Sequence, residues 1–176
     1  MTTPYAELHC LSNFTFLRGA SHPEELVQQA ADLGYQALAL TDECSFAGVV
    51  CAHRAIKEEN LSLKLIIGSE FRHASGLYIV LVTGRKAYAE LSTLITQCRR
   101  QAEKGHYTFT PAQLTDLQHC LLLWQPAEQE ILSEYAALIR HFHQRLWLLG
   151  ERTLDEFDAH HYIGIARWAD TLDLPV

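Results

Sequence analysis

Short apolar runs and helix-period stretches alternate along nearly the whole chain, and few architectures can absorb such a pattern. Residues 5–10 set Tyr5, Glu7 and His9 against Ala6, Leu8 and Cys10, the period of two of a short strand. Ser21-His22-Pro23-Glu24 joins a capping-box pattern to a proline in the first helical turn; Leu26, Ala30 and Leu33 mark one face and Gly34 a stop. Residues 35–40 then read as a strand covered on both faces, 47–59 as a helix and 63–68 as a third buried strand ending at Gly68-Ser69-Glu70. A strand over 77–82, a long helix over 86–103 and a short helix over 111–117, opened by Thr110 and Pro111, follow. Strand, helix, strand and helix are expected over 120–124, 128–143, 146–149 and 158–172, and Leu174-Pro175-Val176 reads as the opening of a strand left unfinished.

This order predicts an α/β fold of parallel strands joined by right-handed crossovers, either a closed or nearly closed barrel or an open doubly wound sheet. Both gather chemistry at the carboxyl ends of the strands. No repeat, low-complexity tract or Gly/Ser linker divides the 176 residues, which read as a single domain with one core.

Composition narrows the function classes. Hydrophobic residues at 48% and charged residues at 20% suit a packed soluble globule and exclude a disordered chain. A net charge of −7 removes the global positive field that draws a polyanion, so contact with nucleic acid must be local or made through a partner. Five scattered cysteines without a C-x-x-C pair fit reduced thiols better than a disulfide framework or a zinc ribbon. With no basic segment leading into an apolar run and no stretch long enough to span a bilayer, a cytoplasmic protein without membrane contact is expected. Neither GxGxxG nor GxxxxGK[ST] occurs, which removes the commonest nucleotide-binding motifs.

Four polar patches fall at predicted strand ends: Glu7-Leu8-His9 with Cys10, Thr41-Asp42-Glu43-Cys44, Ser69-Glu70, and the surroundings of His141 and His143. Imidazole and carboxylate are the ligand types of zinc, manganese and iron. Each patch also has a structural reading. A lone histidine such as His9 is more often a hydrogen-bonded structural group, and Asp42 is of the type that caps a following helix. His141-Phe142-His143 sits at a predicted helix end, where residues two apart diverge and histidines complement the helix dipole. His160-His161 reads as a surface pair. Glu70 is the best single ligand candidate, because a carboxylate directly after a buried strand must find a cation or donors. Arg18 and Arg54 are the arginines that would pair with such carboxylates if no metal is present.

The string from Tyr5 to Ser21, with Glu7-Leu8-His9-Cys10-Leu11-Ser12-Asn13 and Arg18-Gly19-Ala20-Ser21, resembles the opening of the PHP (polymerase and histidinol phosphatase) domain of bacterial C-family DNA polymerases. Leu40-Thr41-Asp42-Glu43-Cys44-Ser45 followed by Ala47-Gly48-Val49-Val50, and Ile67-Gly68-Ser69-Glu70-Phe71, resemble the second and third blocks of that family in the same order. The wording is similar to the error-prone alpha-subunit branch. The resemblance implies a PHP-type distorted (β/α)7 barrel, C-terminally truncated here, with a cleft for up to three metal ions that support phosphoester hydrolysis in active members. His9 matches the first position of the family's H-x-H, while the second is Leu11. Arg18 stands where the family places an acid, and Glu43 where it places a histidine after Thr-Asp. Glu70 matches outright.

The resemblance thus implies an N-terminal piece of an error-prone DNA polymerase acting in replication and translesion synthesis. Within it the domain is an inactive structural and docking module with no cofactor expected. Its partners would be the remainder of the polymerase chain, DNA through that chain, and other replication or translesion subunits. The alternative is a metal-dependent phosphoesterase, of proofreading or pyrophosphate-removing type, in which His9, Glu43 and Glu70 hold one residual Zn, Mn or Fe ion. A stand-alone phosphatase of the histidinol phosphatase kind is disfavoured by the altered ligand positions.

Overall fold

The computed structural model describes residues 4–127, 134–151 and 158–176. Its elements run β1 (Ala6–Cys10), α1 (Pro23–Asp32), β2 (Ala37–Leu40), α2 (Val49–Glu58), β3 (Lys64–His73), β4 (Gly76–Leu81), α3 (Arg85–Arg100), a 3-10 helix (Pro111–Asp116), β5 (Leu121–Pro126), α4 (Glu134–His141), β6 (Leu146–Leu148) and α5 (Asp158–Leu172). The six strands form one sheet in the order β1-β2-β3-β4-β5-β6, curled into a half-barrel.

The all-parallel expectation is corrected at one strand. β1, β2 and β3 pair in parallel, as do β5 and β6, but β4 runs antiparallel to both its neighbours. The cause is that β3 does not stop at Gly68. It continues to His73, and only Ala74 and Ser75 separate it from β4, too few residues for a crossover. Gly76 takes up this tight return with φ +139, and a Cβ there would lie 2.2 Å from the Gln125 carbonyl oxygen. Glu70 therefore sits within a strand, opposite Ile79, rather than just beyond one.

The helix expectations hold with local shifts. The cap of α1 is His22, not Ser21: the His22 N–H donates to Glu25 Oε2 at 2.8 Å, one residue later than the pattern suggested. Val27 and Ala30 are buried while Leu33, expected on the packed face, is 59% exposed, because the helix has already ended at Asp32. Gly34 makes the left-handed stop at φ +76. Thr110 caps the 3-10 helix, whose Gln113 side chain accepts from the Thr110 N–H at 2.8 Å. Residues 128–133 of the expected 128–143 helix lie outside the described residues. Leu174–Val176 forms no strand, although the Leu148 N–H donates to the Pro175 carbonyl at 2.7 Å.

Burial explains why these elements assemble. All four residues of β2 are buried, as a central strand requires. Val27, Ala30, Leu38, Leu40, Ala52 and Ala55 make one cluster between α1, α2 and the sheet. The largest cluster packs α3, the 3-10 helix and α4 against Tyr78, Val80, Leu122 and Trp124. Ala39, Ile79, Leu81 and Leu123 belong to a third, of which Leu81 and Leu123, with Leu8, Ile66 and Trp147, border an apolar cavity of about 530 Å3. No helix among the described residues is long and apolar enough to cross a membrane.

Candidate functional site

The carboxyl ends of β1 and β2, the middle of β3 and the loop at 11–21 converge on one point. Thr41 ties β1 to β2, its hydroxyl donating to the Cys10 carbonyl at 3.1 Å. The following turn is locked to β3, where the Glu70 N–H donates to the Thr41 carbonyl at 3.1 Å and the Cys44 N–H to the Glu70 carbonyl at 2.9 Å. Glu43 and Glu70 thereby become bridged neighbours, as a parallel extension of the β2–β3 pairing.

Glu70 has no exposed surface. Its Oε2 lies 2.7 Å from His9 Nε2, and its Oε1 accepts from Arg18 Nη1 in a short charge-assisted hydrogen bond. The same Arg18 nitrogen donates to Glu43 Oε2 at 2.9 Å. Arg72 adds a longer contact of 3.6 Å to Glu70 Oε1. The other His9 nitrogen, Nδ1, makes a short contact with Glu151 Oε1. Glu43 is completed by Tyr107, whose hydroxyl donates to Oε1 at 2.7 Å.

Electrostatics follow from these contacts. Burial alone would raise the Glu70 carboxyl, but the His9 hydrogen bond and then Arg18 outweigh it and hold the group below the ordinary carboxylate range. Burial would lower His9, yet its hydrogen bonds to the Glu151 and Glu70 carboxylates outweigh this and push it up to about 9, favouring the form in which both ring nitrogens donate. Arg18 is raised further, burial being overcome by Glu70 and Glu43. The result is a neutralised knot in which Arg18, Arg72 and protonated His9 face Glu43, Glu70 and Glu151.

Such a knot does not fit a divalent ion. Both Glu70 oxygens already accept from donors, the Arg18 guanidinium between Glu43 and Glu70 is a permanent cation that would repel an ion, and both His9 ring nitrogens are engaged by carboxylates. Among the described residues no three His, Cys, Asp or Glu side chains form a group that would hold a metal ion. Burial pushes the neighbouring thiols up, Cys10 to about 11 and Cys44 to about 12.

The remaining sequence candidates separate. Asp42 does not cap α2, which begins seven residues later; it anchors the 11–21 loop instead. Its Oδ1 accepts from the Ser12 N–H at 2.8 Å and the Thr15 hydroxyl at 2.7 Å, and its Oδ2 from the Ser12 hydroxyl at 2.7 Å. Arg18 pairs with the site carboxylates, whereas Arg54 makes only a 3.6 Å surface contact with Glu58. His141 Nε2 lies 2.8 Å from the Leu117 carbonyl oxygen and His143 is exposed. The side chains of His160 and His161 lie outside the described residues. Glu151 and Tyr107 were not anticipated: Glu151 lies two residues past the expected strand over 146–149, a signal that was available and not used, while Tyr107 follows no strand and is brought in only by the folded chain.

Comparison with known proteins bears on the family and the fold. The model of the PHP domain family matches residues 7–162. An error-prone DNA polymerase of Vibrio vulnificus (strain YJ016) is 47% identical over 174 residues, covering 98% of this chain and 17% of the relative. An error-prone DNA polymerase of Hahella chejuensis is 46% identical over 181 residues, with the same two coverages. The chain thus spans about a sixth of the length of the curated relatives it matches. Among solved structures, a Bifidobacterium adolescentis protein described as a metal-dependent phosphoesterase aligns with a TM-score of 0.64 at 14% identity, covering 98% of this chain and 85% of that one, a likeness of fold. With a family match over most of its length and a six-stranded half-barrel to go with it, the chain belongs to the PHP domain family.

Proposed function

We propose that this domain is an architectural and docking module of an error-prone DNA polymerase, and that it does not itself hydrolyse phosphoesters. The single observation that supports it is Arg18, bonded to Glu43 and Glu70 where a metal-dependent member would need ligands. An arginine cannot give up its proton, and the ion pairs it makes are structural. The relatives at 45–47% identity bear the name error-prone DNA polymerase, so the carboxylates that would carry out nucleotidyl transfer belong to parts of a longer polypeptide. Within it, this domain takes the N-terminal place, as one unit over residues 1–176, in the cytoplasm, meeting DNA and other translesion subunits through the rest of the chain.

The test is primer extension past an abasic template position by the polypeptide expressed from the complete native gene, run beside hydrolysis of a generic phosphodiester. Extension with no hydrolysis above the metal-only blank is the expected result. A second reading keeps a residual phosphoesterase with one Zn, Mn or Fe ion on His9, Glu43 and Glu70. It draws on their adjacency, His9 being 2.7 Å from Glu70 and Glu43 bridged to Glu70. It requires Arg18 to leave both glutamates, and hydrolysis that disappears in Glu70→Ala would establish it.

A further inference from the structure

The loop that carries Arg18 inward carries two apolar side chains outward. Leu17 is 90% and Phe16 83% exposed, the two most exposed large apolar side chains among the described residues, and Phe14 beside them is 48% exposed. A loosely hung loop would fold these groups back on to the domain. This one is held from below. Asp42 takes three hydrogen bonds from Ser12 and Thr15, and the Gly19 N–H donates to the Thr15 carbonyl at 2.9 Å. Gly19 packs so closely that a Cβ would lie 1.9 Å from the Ser12 carbonyl oxygen. Leu17 itself is kept at φ +65, a conformation that branched apolar residues seldom adopt. On its far side the loop is fastened by Arg18 to Glu43 and Glu70.

We propose that Phe16 and Leu17 form a docking knob that seats in an apolar socket elsewhere in the longer polypeptide, with Arg18 as the positioning residue that holds the knob out. The proposal rests on the polymerase reading and adds the contact surface to it. A contiguous apolar projection on an otherwise charged globule marks an interaction site, and rigid anchors set in a polar surround are the usual energetic centre of one. The surround is present: a polar cavity of about 370 Å3 beside the knob is bordered by Phe14, Thr15, Glu43, Arg99 and Tyr107.

A protein socket suits this surface better than a nucleic acid strand. The cations nearest the aromatic groups are already engaged, Arg18 by two glutamates and Arg99 by the carbonyls of Glu43, Cys44 and His106. The whole domain carries −7. The socket is sought in the same polypeptide because the relatives are about six times the length of this chain, and a tethered partner docks at high effective concentration.

The experiment uses the polypeptide made from the complete native gene, with a benzophenone-bearing phenylalanine in place of Phe16 or, as control, of Val50, which is 74% exposed on α2. After irradiation, cross-linked peptides are mapped by mass spectrometry. The expected result is cross-linking from position 16 to peptides outside residues 1–176 at about tenfold the yield from position 50. An Arg18→Met change in the same protein should cut that yield severalfold while the domain's unfolding transition persists. Equal yields from 16 and 50, or capture of added single-stranded DNA instead, overturn the knob. An Arg18→Met yield equal to the parent overturns the positioning role. Primer extension on the same samples separates the two layers: cross-links without extension keep the knob and remove the polymerase reading, and extension without cross-links does the reverse.

Discussion

Glu70 draws a histidine and an arginine on to one fully buried carboxylate, and its removal should be felt at once. Glu70→Gln leaves two cationic partners without their counter-charge and should lower stability by about 3 kcal/mol, read from the urea midpoint. Protonation gives a second handle. His9 rises from an ordinary 6.5 to about 9 on folding, so its contribution is fully present below pH 6.5 and is lost as the pH climbs through about 9. Glu70 is lowered from 4.5, so its contribution is present above 4.5 and fades as the pH falls below that. A plot of Tm against pH should therefore fall on both sides, and His9→Gln should remove on the order of 2 kcal/mol of the alkaline fall. An unchanged alkaline limb in the variant would reject the assignment. His9, Glu43 and Glu70 were legible as neighbours because each falls at or just past a strand end as the sequence predicts it, although Glu70 proves to lie inside β3. Glu151 also follows a predicted strand, but nothing local records its contact with His9, 142 residues away.

Two elements decide where these side chains end up. The extension of β3 past Gly68 to His73 places Glu70 inside the sheet, and the tight return at Gly76 makes it permanent. Gly76→Ala combines a positive φ with a clash against the Gln125 carbonyl and should destabilise by about 2 kcal/mol or more, measured as unfolding midpoint. The second element is the 11–21 loop on its Asp42 anchor. Asp42→Ala would orphan the Ser12 and Thr15 donors, cost about 3 kcal/mol, and speed amide exchange over the loop while leaving the β5–β6 amides protected. Helix bounds were readable from capping and periodicity to within three residues among the described residues, the largest miss being the end of α3 at Arg100 rather than 103. The direction of β4 was not, because the apolar run of a strand looks the same whichever way it runs, and Gly68 imitated a strand end where the sheet in fact continues. Asp42 looked like a helix cap for a related reason: the sequence shows its type but not the three donors that fold back on it.

At the scale of the whole molecule the sheet curls until β1 and the segment after β6 meet, and the His9–Glu151 contact spans that opening. The half-barrel is similar in fold to a protein described as a metal-dependent phosphoesterase, and ion pairs among its own residues, with Arg18 between Glu43 and Glu70, occupy its strand ends. Strand and helix alternation made the class of fold legible, and the ordered blocks around His9, Asp42 and Glu70 made the family legible. That Arg18 stands where the family resemblance places an acid was legible in the sequence, and only its bonds to Glu43 and Glu70 show what it does here. That substitution is also the most direct point of attack. Metal content of the purified, chelator-free protein should be measured by mass spectrometry alongside phosphodiester hydrolysis. The account predicts zinc, manganese and iron far below one equivalent and no hydrolysis; near-stoichiometric metal with turnover, both lost in Glu70→Ala, would contradict it.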